Sequence, residues 1–137
     1  MHTFSIQSEK KLARVHPYLE DIAREMLKYI DISVVYGDRT IEEQARLVKT
    51  GFSKTMNSMH LIQNDGYAHA IDICPYPIDW NNKKRFYWMA GMMEVIAKDL
   101  LPVGWYLRWG GNWDGDEDLD DQTFMDLAHF EIRLRND

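Results

Sequence analysis

The order in which helical and extended patterns follow one another restricts this chain more than any other feature. Leu12, Val15, Leu19, Ile22, Met26 and Ile30 recur at helical spacing, with Ser8 placed as an N-cap. Pro17 interrupts that pattern and predicts a kink or two short helices. Ile32 to Tyr36 is short, β-branched and closed by Gly37-Asp38, a strand followed by a turn. Thr40 then caps a helix that runs to about Lys49 and ends at Gly51. Beyond a long polar stretch, Phe52 to Tyr67, come a buried strand at Ala70 to Ile73 and the clearest amphipathic helix, Phe86 to Leu100. Strands at Tyr106 to Trp109 and His129 to Leu134 complete the pattern. Strands and helices do not alternate regularly, so the pattern predicts an α+β fold, a small antiparallel sheet packed with helices, rather than a doubly wound one.

Composition removes several function classes. The 137 residues are the size of one domain, so residues 1–137 are expected to fold as a single unit. Sixteen Lys and Arg against 22 Asp and Glu leave a net charge of −6, and no basic cluster exists to track phosphates, so nucleic acid is a poor partner. A single cysteine, Cys74, cannot form an internal disulfide and reads as a small buried hydrophobe. The first residues contain no apolar run of signal-peptide length, and the longest apolar stretch stops at Glu94, which predicts no membrane insertion.

Three of five histidines, His60, His69 and His129, fall in or beside segments that packing does not explain, whereas His2 and His16 look incidental. A catalytic zinc takes three protein ligands and keeps a fourth position for water, whose pKa falls toward neutrality. One histidine from the long loop, one strand carboxylate and one histidine from another strand would serve. Spacing alone carries little weight, since no His-Glu-x-x-His pair is present.

The motifs add what spacing lacks. Ser58-Met59-His60, Ala70-Ile71-Asp72 and Asp126-Leu127-Ala128-His129 resemble the Ser-x-His, Ala-x-Asp and Asp/Glu-x-x-His elements of the zinc D-alanyl-D-alanine and L-alanyl-D-glutamate peptidases, the hedgehog/DD-peptidase type. Gly37 to Gln44 resembles the Gly-x-Arg-Ser/Thr…Gln element that precedes the zinc loop there. The likeness is nearest to single-domain phage endolysins, through the Val-His-Pro-x-Leu run at 15–19 and Trp109-Gly110-Gly111-Asn112-Trp113. The interval from His60 to Asp72 is longer than the common family spacing, as if Leu61 to Ala68 held an insertion, which leaves His69 as an alternative first ligand. Strand alternation favours His60, because His69 and Asp72 point to opposite faces.

The resemblance implies a zinc peptidase that cleaves peptidoglycan stem peptides, most simply an L-alanyl-D-glutamate endopeptidase. Zinc would be held by His60, Asp72 and His129. Asp126 would be the general base and then acid, and Arg39 would bind a substrate carboxylate or the developing oxyanion. Ser58, Gln44, His69 and Trp109 are candidate substrate contacts, and Glu131, on the strand face of His129, a candidate hydrogen-bond partner for it. The resemblance also implies a monomer in the host cytoplasm that reaches the periplasm or wall only after a separate lysis protein opens the membrane. A D-Ala-D-Ala carboxypeptidase or dipeptidase, and a non-catalytic zinc-binding hedgehog-like domain, are the alternatives. The acidic run Asp114 to Asp121 concentrates oxygen ligands that could bind Ca2+, although it lacks the Gly and Glu positions of an EF-hand.

Overall fold

The computed structural model of the chain describes residues 1–53, 55–115 and 126–135. Its elements run α1 (Ile6–Leu12), α2 (Pro17–Met26), β1 (Ile32–Tyr36), α3 (Ile41–Lys49), β2 (Ala70–Pro75), α4 (Lys83–Leu100), β3 (Trp105–Gly110) and β4 (Asp126–Leu134). The strands form one antiparallel sheet in the order β1-β2-β4-β3, as the irregular alternation predicts. Two short helices flank Pro17, which occupies the first turn of α2, where its missing N–H costs nothing.

Capping explains most boundaries. Thr40 and Glu43 form a reciprocal capping box at the start of α3, and Gly51 follows that helix at φ 84°. The N-cap of α1 is Ser5 and not Ser8. Ser8 lies inside the helix, buried, and its Oγ accepts the Val34 N–H at 2.9 Å. A serine that ties α1 to β1 resembles a cap in sequence, because both uses need a short side chain oxygen near a helix start.

The core lies between the helices and one face of the sheet. Leu19, Ile22 and Met26 of α2 and Phe86, Met89 and Met93 of α4 meet Ile71, Ile73, Phe130 and Ile132 of the central strands. Each such side chain contributes roughly 1.5–3 kcal/mol by leaving water. This burial holds β2 and β4 rigidly side by side, with Asp72 directly opposite His129 and Ala70 opposite Glu131. The face of the sheet away from the helices therefore carries polar side chains on a fixed base.

Candidate active site

Cross-strand pairing places two polar groups and a loop supplies the third. Asp72 on β2 and His129 on β4 are register partners, so their side chains start about 5 Å apart. His60 arrives from the loop before β2, where Ser58 Oγ accepts the His60 N–H at 3.1 Å and the His60 carbonyl accepts the Arg39 N–H at 2.9 Å. The three are 2%, 8% and 7% exposed for His60, Asp72 and His129, far more buried than such side chains usually are without partners. His60 Nε2, Asp72 Oδ1 and His129 Nδ1 lie 3.1, 3.1 and 3.2 Å from one another.

The outer atoms decide what this triangle is. His60 Nδ1 donates to the Gly37 carbonyl at 2.7 Å, and His129 Nε2 donates to Glu131 Oε1 at 2.8 Å. With those protons placed outward, each neutral imidazole turns a lone pair inward, toward a carboxylate oxygen that has only lone pairs itself. Three acceptors facing one another need a cation between them. Their spacing is close to the edge of about 3.3–3.4 Å expected for a tetrahedron with bond lengths near 2.0–2.1 Å, so the donor set fits zinc.

The electrostatics give the same reading. Burial alone would raise Asp72, but the charge on His60 and hydrogen bonds from both histidines hold its carboxyl far below the usual range. Burial works against charge on His129, yet hydrogen bonds to Asp72 and Glu131 push its imidazole up to about 9. Burial, with the Asp72 charge, raises Asp126, which begins β4 and lines the same cleft.

Glu131 is 4% exposed and its other oxygen accepts Arg133 Nη1 at 2.7 Å. Burial raises its pKa, but the bonds to His129 and Arg133 lower it by more, keeping it an anion behind His129. Gly37 is required where its carbonyl meets His60, since a Cβ there would run into the Lys11 carbonyl oxygen.

An open cleft of about 680 Å³ covers the triad, walled by Tyr36, Arg39, Trp80, Arg108, Trp113 and Asp126. Arg39 Nη1 donates to Gln44 Oε1 at 2.7 Å and its guanidinium lies over the Tyr36 ring. Among the described residues no carboxylate lies within ion-pair distance of Arg39, so its charge is available to the cleft. Ser58 lines the cleft while it caps His60.

Three of the predicted substrate contacts sit elsewhere. Gln44 is fully buried, and its Nε2 donates to Ser53 Oγ at 2.8 Å and to the Thr55 carbonyl at 2.6 Å, so it braces Arg39 and the cleft rim. Trp109 turns away, donating Nε1 to the Leu127 carbonyl and stacking on Phe130, whereas Trp113 faces the cleft with its ring 5.3 Å from that of His129. His69 joins neither the triad nor the cleft. Its Nε2 donates to Asp65 Oδ2 at 2.7 Å beside His16, on the opposite side from Asp72, as alternation along β2 demands.

His16 is therefore not incidental. Its Nδ1 accepts the Tyr18 N–H at the start of α2, which leaves the proton on Nε2, 3.6 Å from Asp65. Spacing alone would admit a metal among His16, Asp65 and His69, but the occupied Nδ1 makes the group a hydrogen-bonded clasp. It pins the Leu61 to Ala68 segment onto the α1–α2 junction, where Ala68 also exchanges backbone hydrogen bonds with Arg14 and His16. Cys74 is buried and its thiol is pushed up to about 12 by burial and by Asp72 and Asp126, which leaves it inert. Residues 116–121 of the acidic run considered for Ca2+ lie outside the described residues.

Residues 1–133 match the family described as phage L-alanyl-D-glutamate peptidase. The chain belongs to that family. It is 34% identical over 139 residues to the L-alanyl-D-glutamate peptidase of Escherichia phage T5, covering 94% of this chain and 96% of that protein. Among solved structures, the L-Ala D-Glu endopeptidase ChiX of Serratia marcescens superposes with a TM-score of 0.75 at 28% identity, over 96% of this chain and 91% of that one. A vancomycin-resistance D,D-dipeptidase, VanXYg, matches with a TM-score of 0.45 at 15% identity over 87% of this chain and 49% of that one, too slight to inform the site. The chain is thus a hydrolase of the peptidoglycan peptidase class, the one its motifs imply. No helix among the described residues is long and apolar enough to cross a membrane.

Proposed function

We propose that residues 1–137 work as one zinc-dependent domain that hydrolyses the L-alanyl-D-glutamate bond of peptidoglycan stem peptides, with zinc held by His60, Asp72 and His129. The observation that carries this reading is the convergence of three lone pairs at 3.1–3.2 Å, with both imidazole protons committed outward. A zinc ion supplies Lewis-acid polarisation and lowers the pKa of water, which is the chemistry amide hydrolysis lacks at neutral pH.

The chain's own residues do the rest. Asp126, a half-buried carboxylate with a raised pKa, takes a proton from the attacking water and returns it to the departing amine. Its elevated basicity suits both transfers, since a strongly acidic carboxylate would hold the proton too weakly. Arg39, fixed on one edge by Gln44, turns the rest of its guanidinium to the scissile carbonyl oxygen and stabilises charge that develops there. Trp113 and Trp80 exclude water from the flanks of the bond. The protein acts as a monomer, is made in the host cytoplasm and meets the wall once a separate lysis protein has opened the membrane.

The test is digestion of purified peptidoglycan by zinc-loaded and chelator-stripped protein, with mass spectrometry of the released fragments. Zinc-dependent release of fragments ending at L-alanine or beginning at D-glutamate is expected. Intact peptidoglycan in both samples, with zinc bound in the first, overturns the reading.

A further inference from the structure

We propose that Arg108 forms a carboxylate subsite that reads the free carboxyl group of the D-glutamyl residue, an inference that rests on the L-alanyl-D-glutamate reading above. Asp72 and His129 occupy the two central strands, Arg39 follows the β1 edge and Arg108 lies on the β3 edge. Arg108 is the register partner of Glu131, so it shares the face that carries Glu131, His129 and Asp72. The cleft over the triad is therefore lined by three guanidinium groups, Arg39 on the β1 side and Arg108 and Arg133 on the β4–β3 side, in a chain whose net charge is −6.

Charge accounting singles out Arg108. The one negative charge of Glu131 is already met by His129 Nε2 at 2.8 Å and Arg133 Nη1 at 2.7 Å. Arg108 Nη1 stands farther away, at 3.7 Å, and among the described residues no other carboxylate lies within ion-pair distance of its guanidinium. Burying or half-burying a surplus cation is unfavourable unless an anion arrives to meet it. Arg108 is also held still: Nε donates to the Trp113 carbonyl at 2.9 Å and the guanidinium lies 5.0 Å from the centroid of the Trp113 ring. Its side chain is 33% exposed and lines the cleft, and among the described residues Nη2 has no partner.

A planar, immobilised guanidinium with an unused edge is suited to a carboxylate, and far less to a carboxamide, which brings no charge and one acceptor. In an L-alanyl-D-glutamyl substrate the residue that supplies the scissile nitrogen has two carboxyl groups. One continues the chain and the other stays free. With the scissile amide over Asp72 and His129 and its carbonyl oxygen toward Arg39, that free carboxylate falls on the β3 bank. Arg108 then acts as a specificity-determining residue, favouring unamidated stem peptides over those in which the carboxylate has become an amide.

The test uses the zinc-loaded protein with N-acetyl-L-alanyl-γ-D-glutamyl-L-lysine and its analogue amidated at the free glutamyl carboxyl. The wild type is expected to favour the acid roughly 10- to 100-fold in kcat/KM, mainly through KM, the range set by a charge-assisted hydrogen bond. Arg108→Gln should lose that factor on the acid and leave the amide within about threefold, whereas a merely structural role would lower both equally. Equal cleavage of acid and amide by the wild type, or equal losses in the variant, overturns the subsite. If Arg108→Gln melts early, Arg108→Lys carries the same comparison, since it keeps stem and charge but loses the fork. Cleavage of neither peptide counts against the bond assignment alone. Calorimetric titration of both peptides then decides the subsite: acid-selective binding that disappears in the variant upholds it, and equal binding ends it.

Discussion

Replacing Glu131 with Gln isolates the contribution of a residue that touches a proposed ligand but not the metal. The wild-type carboxylate accepts His129 Nε2–H at 2.8 Å and Arg133 Nη1–H at 2.7 Å from a nearly fully buried position. An amide of the same size keeps one oxygen for His129 and turns an NH2 toward Arg133, so the first bond loses its charge and the second becomes a donor facing a donor. Charge-assisted hydrogen bonds contribute roughly 1.5–3 kcal/mol and neutral ones about 0.5–1.5 kcal/mol. The loss at His129 is therefore about 1–1.5 kcal/mol, on the order of tenfold in zinc affinity, at the low end of the 10- to 100-fold typical of such partners. Competition against a chromophoric chelator measures it, with circular dichroism confirming that the metal-free variant is folded. Zinc affinity within about twofold of wild type, on a folded variant, would refute the claim that Glu131 sets the tautomer and basicity of His129.

Zinc affinity should also rise with pH. The His129 pKa, raised to about 9 in the metal-free site, means that a proton must leave before zinc binds, so affinity gains about tenfold per pH unit between the ordinary histidine range and 9; a flat profile there contradicts it. Asp126 has a raised folded pKa, so its ionisation costs stability as pH rises above the usual carboxylate range. Asp126→Asn should accordingly melt higher than wild type at neutral pH in the metal-free state, converge with it in acid, and lose peptidase activity when zinc-loaded; a lower melting temperature at neutral pH counts against this. Gly37→Ala forces a Cβ against the Lys11 carbonyl and displaces the acceptor of His60 Nδ1, with overpacking of this kind costing about 1–3 kcal/mol. An unchanged melting temperature and zinc affinity would show that the turn yields freely. Gln44→Met removes three buried hydrogen bonds around Arg39 and the cleft rim and should depress kcat/KM more than zinc affinity; equal effects on both point to general unfolding.

Much of the site was legible because the relevant signals are local. The motif residues His60, Asp72 and His129 come together as the resemblance implies, and Glu131 reaches His129 because residues two apart on a strand share a face. The preference for His60 over His69 likewise followed from alternation along one strand. Burial hides the rest. Nothing in the chain distinguishes a glutamine that touches substrate from one that is sealed behind an arginine, and Gln44 is the second kind. Trp109 and Trp113 sit four residues apart in one aromatic run, but the first is drawn to Leu127 and Phe130 and the second to the cleft. His16, unremarkable in its sequence context, acquires its role from Asp65 and His69 in a distant loop.

Periodicity and capping determined the sequence of elements. β1 is bounded as its β-branched run predicts, and α3 begins at the capping box and stops short of Gly51, since these signals involve only neighbours within one or two turns. Which strands lie together is a different matter, because it depends on which faces can bury one another across long stretches of chain. The order β1-β2-β4-β3 sets Asp72 beside His129 and sends Arg39 and Arg108 to opposite banks of the same cleft. The ligands could thus be named residue by residue from motifs, whereas the cleft around them, with arginines on both of its banks, exists only once core burial has decided the pairing of the strands.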